Sequence, residues 1–391
     1  MKWIKSWVAT VPSPTHPDRN EDNLWVAASG RAAAVIDGMG GYRRRTAHGD
    51  VGGEHASSLA SKILAERLDA WDGLLSMKEA KVVLRQVIEE INARLWQDLN
   101  WSGKVPPEEN PDGKSVDETS VGAAMTLVAM CDAGTRAIAA QHGDTHGYAL
   151  KDDMGLIQIT EDQDLLTWER MNGVISEDDA VRIAQAIDHF DGVNLTEMMD
   201  QKVMRYFFDK NIFGALGVDG TCPETGWSAI KLVVGDRIAL LSDGAYSNMS
   251  LDELSNMLSY PDDPAQVVIE LSMQRCVLPR FPDANELSKP YNMRATQDDM
   301  TAVVLEVGVE DTMEGTTESQ DDLALSAEQT TEAMPRPRFI TEPLAAPNTL
   351  VESDEPTEVP YLDLPEDTEE TAPPPPAEDI GEGMENMSGE L

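Results

Sequence analysis

The spacing of hydrophobic and polar residues divides the first 309 positions of the chain into short strands and a few amphipathic helices. Apolar and polar residues alternate at 3–9, which predicts a first strand. The apolar runs at 24–28 and 32–36 are separated by Ser29-Gly30 and predict a tight hairpin. Further strands are predicted at 121–130, 135–141, 146–151, 155–159, 212–217, 229–234, 237–242 and 300–308.

Helices are predicted where apolar residues recur at three- and four-residue spacing behind an N-cap. Ser76 and Ser250 are each followed three positions later by a glutamate, which is the pattern of a capping box. Ser176 is predicted to cap a helix within the segment 163–211, and Pro264 to open a later one.

The predicted order is strands, a helix pair, strands, helices and strands, without regular alternation of one strand and one helix. This order favours antiparallel sheets, because parallel neighbours need a crossover between each pair of strands. We therefore predict an α+β fold in which an antiparallel β-sandwich is flanked by helix layers. A loop rich in proline, glycine and charge is expected at 101–118.

Composition sets residues 310–391 apart from the rest of the chain. This segment has a net charge of −21, against −20 for all preceding residues, and it holds 11 of the 23 prolines. Such a segment cannot bury enough apolar surface to offset the entropy lost on folding. We predict one folded domain at 1–309 and a disordered, acidic Pro/Thr-rich tail at 310–391.

Charge and cysteine content exclude several classes of protein. Both parts of the chain are acidic, which disfavours binding to nucleic acids and to anionic membranes. The three cysteines have neither the spacing of a zinc site nor that of a disulfide framework. No apolar signal segment begins the chain, and no stretch of about 18 apolar residues occurs. The sequence predicts a soluble, cytoplasmic protein.

Three carboxylates share one sequence context. Asp37 and Asp243 each follow an apolar run and precede a glycine, and Asp298 leads into an apolar run. Hard divalent cations prefer oxygen ligands, and strand ends hold such ligands on rigid supports. The pattern therefore predicts a metal site. Other aspartates lack this context and are interpreted as simple turn or helix caps: Asp22, Asp144 and Asp236.

Six short motifs occur in an order that resembles one known family. They are Asn20-Glu21-Asp22, Asp37-Gly38-Met39-Gly40-Gly41, Gly122-Ala123-Ala124-Met125-Thr126-Leu127-Val128, Gly143-Asp144-Thr145-His146-Gly147-Tyr148, Ser242-Asp243-Gly244 and Asp298-Asp299-Met300-Thr301. One such motif alone would be weak, whereas six in order are specific. Over residues 1–309 the chain resembles the metal-dependent serine/threonine protein phosphatases (type 2C, PPM) of the bacterial kind.

The resemblance implies a β-sandwich with two divalent metals, Mn²⁺ or Mg²⁺, at one edge, and a weaker third metal nearby. Water held between the two metals would attack phosphorus directly. A flap at about 164–211 would lie beside the site and influence substrate choice. The metal ligands implied by position are Glu21 (directly or through water), Asp37 as the bridge, the carbonyl of Gly38, Asp243, Asp298 and, for the third metal, Asp162.

The sequence departs from the family pattern at the residue that clamps phosphate. The usual arginine position, four residues before Glu21, is Pro17, and the nearest arginine is Arg19. A guanidinium offers bidentate donors to an oxyanion, so Arg19 is our candidate for catalysis and substrate binding, with a solvated loop arginine as the alternative. His16 is a weaker substitute. Met39 stands where eukaryotic members carry a histidine, so no protein acid for the leaving oxygen is evident.

The resemblance leads to two functional hypotheses. In the first, the chain is a monomeric phosphoprotein phosphatase that acts on phosphoserine and phosphothreonine in proteins and opposes a Ser/Thr kinase. In the second, it is a catalytically weak phosphatase-fold module that binds phosphoproteins, with the tail as a docking arm. The first is favoured, because a degraded site loses its metal ligands first.

The last motif holds two adjacent acids, and by position Asp298 is favoured over Asp299 as the ligand.

Overall fold

The computed structural model describes residues 2–39, 44–46, 49–100, 121–193, 200–209, 211–218, 220–282 and 289–308. The predicted loop at 101–118 and the predicted tail at 310–391 lie outside these residues.

The strands are β1 (Lys2–Val11), β2 (Asp22–Val26), β3 (Ala32–Met39), β4 (Arg44–Thr46), β5 (Gly49–Val51), β6 (Gly122–Cys131), β7 (Arg136–His142), β8 (His146–Lys151), β9 (Gly155–Gln158), β10 (Gly226–Lys231), β11 (Arg237–Leu241) and β12 (Met300–Gly308). The helices are α1 (Gly53–Leu68), α2 (Met77–Leu95), α3 (Leu165–Met171), α4 (Glu177–His189), α5 (Gln201–Phe208), α6 (Asp243–Tyr246), α7 (Leu251–Leu258) and α8 (Pro264–Cys276).

Two five-stranded sheets form the centre of the fold. One has the strand order β1-β12-β11-β8-β9 and the other the order β10-β7-β6-β3-β2, and their strand pairs are antiparallel. Strands β4 and β5 pair separately as a short ribbon. The prediction of an antiparallel α+β sandwich is confirmed.

Alternating side chains of β3 show how the layers are built. Ala33 and Val35 pack between the two sheets, whereas Ala32, Ala34 and Ile36 pack under α1 and α2. This period of two follows from the pleat, which sends successive side chains to opposite faces of a sheet. On the other side of the molecule α7 and α8 cover the sheet that contains β12. The sandwich therefore has a helix layer on each outer face.

The predicted hairpin and helix caps are confirmed. Strands β2 and β3 pair in the register that sets Asp22 opposite Asp37, so the motif at 20–22 lies beside Asp37 as expected. Ser76 and Ser250 form capping boxes, and the hydroxyl of Ser176 accepts the amide of Asp179. Local hydrogen bonds between a cap side chain and the first turn fixed these starts, which is why the sequence revealed them.

The predicted strand at 212–217 is wrong. Only isolated bridges occur there, from Ile212 to Asp164 and from Leu216 to Ala123. Gly214 and Gly217 have φ values of 78° and 82°, outside the extended region that a strand requires. The strand predicted at 229–234 is shifted in the structure to Gly226–Lys231, and its last two predicted residues lie in the turn before β11.

The helical segment after β9 has a small core of its own. Helices α3, α4 and α5 surround the buried side chains of Ile183, Phe190, Val203 and Tyr206. The Glu169 carboxylate, also buried, accepts hydrogen bonds from Arg205 and from the Tyr206 hydroxyl. None of the helices in the described ranges has the length and apolarity needed to cross a lipid bilayer.

His142 at the end of β7 connects three segments near the site. Its Nδ1 donates to the carbonyl of Gly214, at 3.1 Å, and its Nε2 forms a 3.0 Å hydrogen bond with the Thr225 hydroxyl. Burial lowers the pKa of His142 to about 4, despite the hydrogen bond to Gly214.

We expect His142 to make folding stability depend on pH. The unfolded chain takes up a proton on this ring below its ordinary pKa of about 6.5, whereas the folded chain resists protonation until about pH 4. The contribution is complete above pH 6.5 and is lost as the pH falls, by about 2 kcal/mol at about pH 5. Urea unfolding of wild type and His142→Gln at about pH 7.5 and pH 5 measures it. The exposed His189→Gln serves as control, and equal pH dependence in wild type and His142→Gln would contradict the assignment.

Candidate active site

Two carboxylates face each other across the β2–β3 ladder. Asp22 is 6% exposed and lies directly opposite Asp37 in the antiparallel register. Its Oδ2 accepts a 2.6 Å hydrogen bond from the hydroxyl of Ser242. Ser242 directly follows β11, a strand of the other sheet. The interpretation of Asp22 as a simple turn cap is therefore wrong, because the residue is a buried strand residue. A hairpin closed at 27–32 fixes this register, so the signal was available in the sequence.

Asp243 and Asp298 reach the same place through two close-packed segments. Asp243 begins α6, directly after β11, and Asp298 precedes β12. A Cβ at Gly244 would overlap the carbonyl oxygen of Asp299, so only glycine lets the two backbones approach this closely. The glycine after Asp243 therefore serves to bring its neighbour beside Asp298.

The pKa values report how closely these acids are gathered. Burial and the carboxylates of Asp22, Asp243, Asp144 and Asp298 raise the pKa of Asp37 well above its usual range. Burial also raises the pKa of Asp22 well above its usual range, against the opposing effect of its hydrogen bond from Ser242. These shifts connect Asp37, Asp243 and Asp298 in one carboxylate cluster, together with Asp22 and Asp144, which the sequence reasoning had set aside.

The two adjacent acids of the last motif have different surroundings. Asp299 is 2% exposed, and its two carboxylate oxygens accept the backbone amides of Ser13, at 2.6 Å, and Glu21, at 2.5 Å. The side chain of Asp298 is exposed at the rim of the cluster, and its Oδ1 accepts only the amide of Asp299 among the described residues. Local desolvation and the Asp243 carboxylate nevertheless raise the pKa of Asp298 to about 7. Asp299 thus fixes a loop, while Asp298 faces the cluster.

Glu21, Gly38 and Arg19 lie together at the entrance. The amide of Gly38 donates to the carbonyl of Glu21 at 3.1 Å, and a Cβ at Gly38 would overlap the carbonyl oxygen of Gly53 at the start of α1. The Arg19 Nε lies 3.3 Å from Glu21 Oε1. Burial is the main cause that raises the pKa of Glu21, while Arg19 acts in the opposite direction.

The Asp162 carboxylate is paired with a histidine. Its oxygens pair with His146 Nε2, at 2.7 and 2.8 Å, and accept a longer bond from Gln158. The ring of His146 also stacks on Tyr246 at 3.5 Å. Asp162 lines a cavity of about 200 Å³ between the helical segment and α6. Asp144 lines the same cavity and also acts on Asp37.

The donor set of the cluster fits a hard divalent cation. Asp243 Oδ1 and Glu21 Oε1 are buried, and neither accepts a hydrogen bond from any residue in the described ranges. Buried carboxylate oxygens without donors are costly unless a cation neutralises them. Several such oxygens on strand ends are the ligands that Mg²⁺ and Mn²⁺ prefer.

Comparison with known proteins gives a consistent result. A family model described as protein phosphatase 2C matches residues 18–275. The serine/threonine phosphatase stp of Listeria monocytogenes serovar 1/2a is 28% identical over 249 residues, covering 61% of this chain and 77% of that protein. The namesake from Listeria innocua serovar 6a is 27% identical, with the same coverage.

Solved structures share the fold at lower identity. The serine/threonine phosphatase PstP/Ppp of Mycobacterium tuberculosis superimposes with a TM-score of 0.52 at 21% identity, covering 78% of this chain and 99% of that one. Stp1 of Staphylococcus aureus gives a TM-score of 0.51 at 18% identity, covering 79% and 96%. These two likenesses concern the architecture.

We expect Asp37→Asn to stabilise the chain in EDTA and to abolish its stabilisation by Mn²⁺. Because the pKa of Asp37 is raised, this carboxyl lowers folding stability as the pH rises above about 4, so its replacement by an amide should stabilise the folded chain near neutral pH. Wild type should instead gain about 2.7 kcal/mol from Mn²⁺ at a hundredfold excess over Kd. Thermal unfolding with EDTA or Mn²⁺ measures both effects. A variant that is destabilised in EDTA and still responds to Mn²⁺ would contradict the expectation.

Proposed function

This chain belongs to the protein phosphatase 2C family, and on that premise we propose that it is a metal-dependent protein serine/threonine phosphatase. It hydrolyses phosphoserine and phosphothreonine in proteins and acts against a Ser/Thr kinase. One observation carries the proposal: Asp37, Asp243 and Asp298, far apart in sequence, adjoin one another closely enough to raise carboxyl pKa values. Repulsion among neighbouring carboxylates destabilises the folded chain unless a cation neutralises them.

The proposed roles follow from the surroundings of each group. Asp37 is acted on by the carboxylates of Asp22, Asp243, Asp144 and Asp298 and would be the ligand shared by two cations, Mn²⁺ or Mg²⁺. Asp243 and Asp298 would hold one cation together, because the Asp243 carboxylate lies close enough to act on that of Asp298. Glu21 and the carbonyl of Gly38 complete the set from the loop side. When bound, the cations supply Lewis acidity that lowers the pKa of water for in-line attack on phosphorus.

Arg19 is proposed to orient the phosphate. Its Nε is buried and has no hydrogen-bond acceptor in the described part of the chain, although Glu21 lies 3.3 Å away. A guanidinium with an unused donor at the entrance to the site fits a doubly charged oxyanion. The ion pair with Glu21 limits the conformations of Arg19, so little side-chain freedom is lost when substrate binds.

We assign the catalytic domain to 1–309, the substrate-facing flap to 164–211, and the acidic residues 310–391 to a tail outside the domain. Asp162 would serve a third cation only after giving up its pair with His146. The protein is proposed to act in the cytoplasm as a monomer, without nucleic-acid or membrane partners.

We expect the intact protein to release phosphate from a phosphothreonine peptide with Mn²⁺ and not with EDTA. Asp243→Asn should lower kcat/KM at least about a hundredfold, since loss of a cation costs several kcal/mol of transition-state stabilisation. Malachite-green detection of phosphate under steady-state conditions provides the measurement. The exposed Asp252→Asn, whose partner is His189, is the matched control. Peptide binding without any turnover by wild type would support the catalytically weak module instead.

Arg19→Ala is expected to reduce kcat/KM for the same peptide by about 10- to 100-fold, because a hydrogen bond to a charged group contributes about 1.5–3 kcal/mol. Arg19→Lys should recover only part of the loss, since an ammonium cannot bind the phosphate in a bidentate manner. Arg67→Ala, which removes an exposed ion pair with Glu90 on the α1–α2 surface, is the control. Unchanged kinetics in Arg19→Ala would show that Arg19 is an ordinary loop residue.

A further inference from the structure

The loop between β1 and β2 is held at both ends by one carboxylate. Asp299 accepts the amide of Ser13 near the start of the loop and the amide of Glu21 at its end. These bonds connect residues that are 286 and 278 positions apart in the chain. The residues between Ser13 and Glu21 are therefore presented at the rim of the carboxylate cluster in a defined conformation.

His16 lies in the middle of this loop and its ring is oriented. Its amide donates to the carbonyl of Ser13, and its own carbonyl accepts the amide of Arg19, both at 3.1 Å. Its Nδ1 lies 3.1 Å from the carbonyl oxygen of Arg19. A carbonyl can only accept, so Nδ1 carries a proton, and Nε2 is the ring nitrogen left for a metal. Donation of the second ring N–H to a backbone carbonyl is the usual support of a metal-binding histidine.

The same ring adjoins the acids before β12. One ring nitrogen of His16 and one carboxylate oxygen each of Asp298 and Asp299 all lie within 4.8 Å of one another, and the Nδ1 atom of the same ring is 3.5 Å from Asp299 Oδ1. Asp299 already accepts two backbone amides, which leaves Asp298 as the carboxylate with free capacity. Asp298 in turn adjoins Asp243 in the carboxylate cluster. His16 therefore borders the cluster on the side of Asp298.

We propose that His16 is a nitrogen ligand of the cation that Asp298 holds, which makes this position selective for Mn²⁺ over Mg²⁺. The inference rests on the proposed function, because it presupposes the cation site. Imidazole nitrogen suits transition metals, whereas Mg²⁺ requires oxygen ligands and retains its waters. His16 thereby has a role in this chain at the loop where the phosphate-clamping arginine is displaced.

The test uses the full chain, freed of metal with EDTA and reloaded with Mn²⁺ or Mg²⁺. Calorimetric titration gives the dissociation constants, and pulsed electron paramagnetic resonance detects ¹⁴N coupled to bound Mn²⁺. The variants are His16→Asn and His16→Ala. The matched control is His189→Ala, an exposed residue at the end of α4. Asparagine retains an N–H donor near the position of Nδ1 and can keep the bond to Arg19, but it lacks Nε2. Thermal unfolding in EDTA checks that each variant is folded.

In wild type and His189→Ala we expect ¹⁴N coupling at Mn²⁺. In His16→Asn the coupling should disappear, and the Mn²⁺ dissociation constant should rise at least about tenfold, with a much smaller change for Mg²⁺. Wild type that binds Mn²⁺ without ¹⁴N coupling, or coupling that persists in His16→Asn, would overturn the assignment while leaving the proposed function intact. Unchanged Mn²⁺ affinity with weaker inhibition by inorganic phosphate would overturn it in favour of a phosphate contact. Failure of wild type to bind Mn²⁺ at all would refute the cation site itself, and the inference with it.

Discussion

Asp22 and Asp37 lie opposite each other in antiparallel register, so the hydrogen bonds of one hairpin hold two carboxylates side by side against their mutual repulsion. Asp243 and Asp298 add further negative charge from the other sheet. Burial strengthens the repulsion, because the lower local dielectric screens charges less than water does. The fold must therefore supply enough packing energy elsewhere to keep these groups together until a cation neutralises them.

The packing that supplies this energy lies in three layers of apolar contacts. One layer fills the space between the sheets, and the others lie under α1 and α2 and under α7 and α8. At the site itself the sheets are connected by Ser242, whose hydroxyl donates to Asp22 and accepts the amide of Thr301 at 2.8 Å. A single hydroxyl thus fixes the relative position of two strands that carry the acids, at the point where their repulsion would separate them.

Some acids near the cluster bind the backbone and do not face the proposed cations. Asp299 uses its oxygens on backbone amides, and this orders the loop that carries His16, Arg19 and Glu21. On the flap side, His146 pairs with the carboxylate of Asp162. This carboxylate is the one that the resemblance assigns to a third metal. These contacts therefore order the segments that flank the cluster.

The sequence by itself determined the elements and the identity of the central acids. Periodicity of two or near 3.6 reports which face of a segment is buried, and the caps at Ser76 and Ser250 depend on residues three positions apart. The same local reasoning failed at 212–217, where apolar residues suggested a strand and two glycines with positive φ prevent one.

Tertiary structure decided what each acid does. Asp298 and Asp299 are neighbours in sequence, yet one faces the cluster and the other binds Ser13 from 286 positions away. Asp22 gained its hydrogen bond from Ser242, 220 positions away, only when the two sheets packed together, and His146 contacts Asp162 only because β8 packs beside the flap. These contacts join segments that are far apart in the chain, and a local sequence pattern does not specify which distant segments pack together.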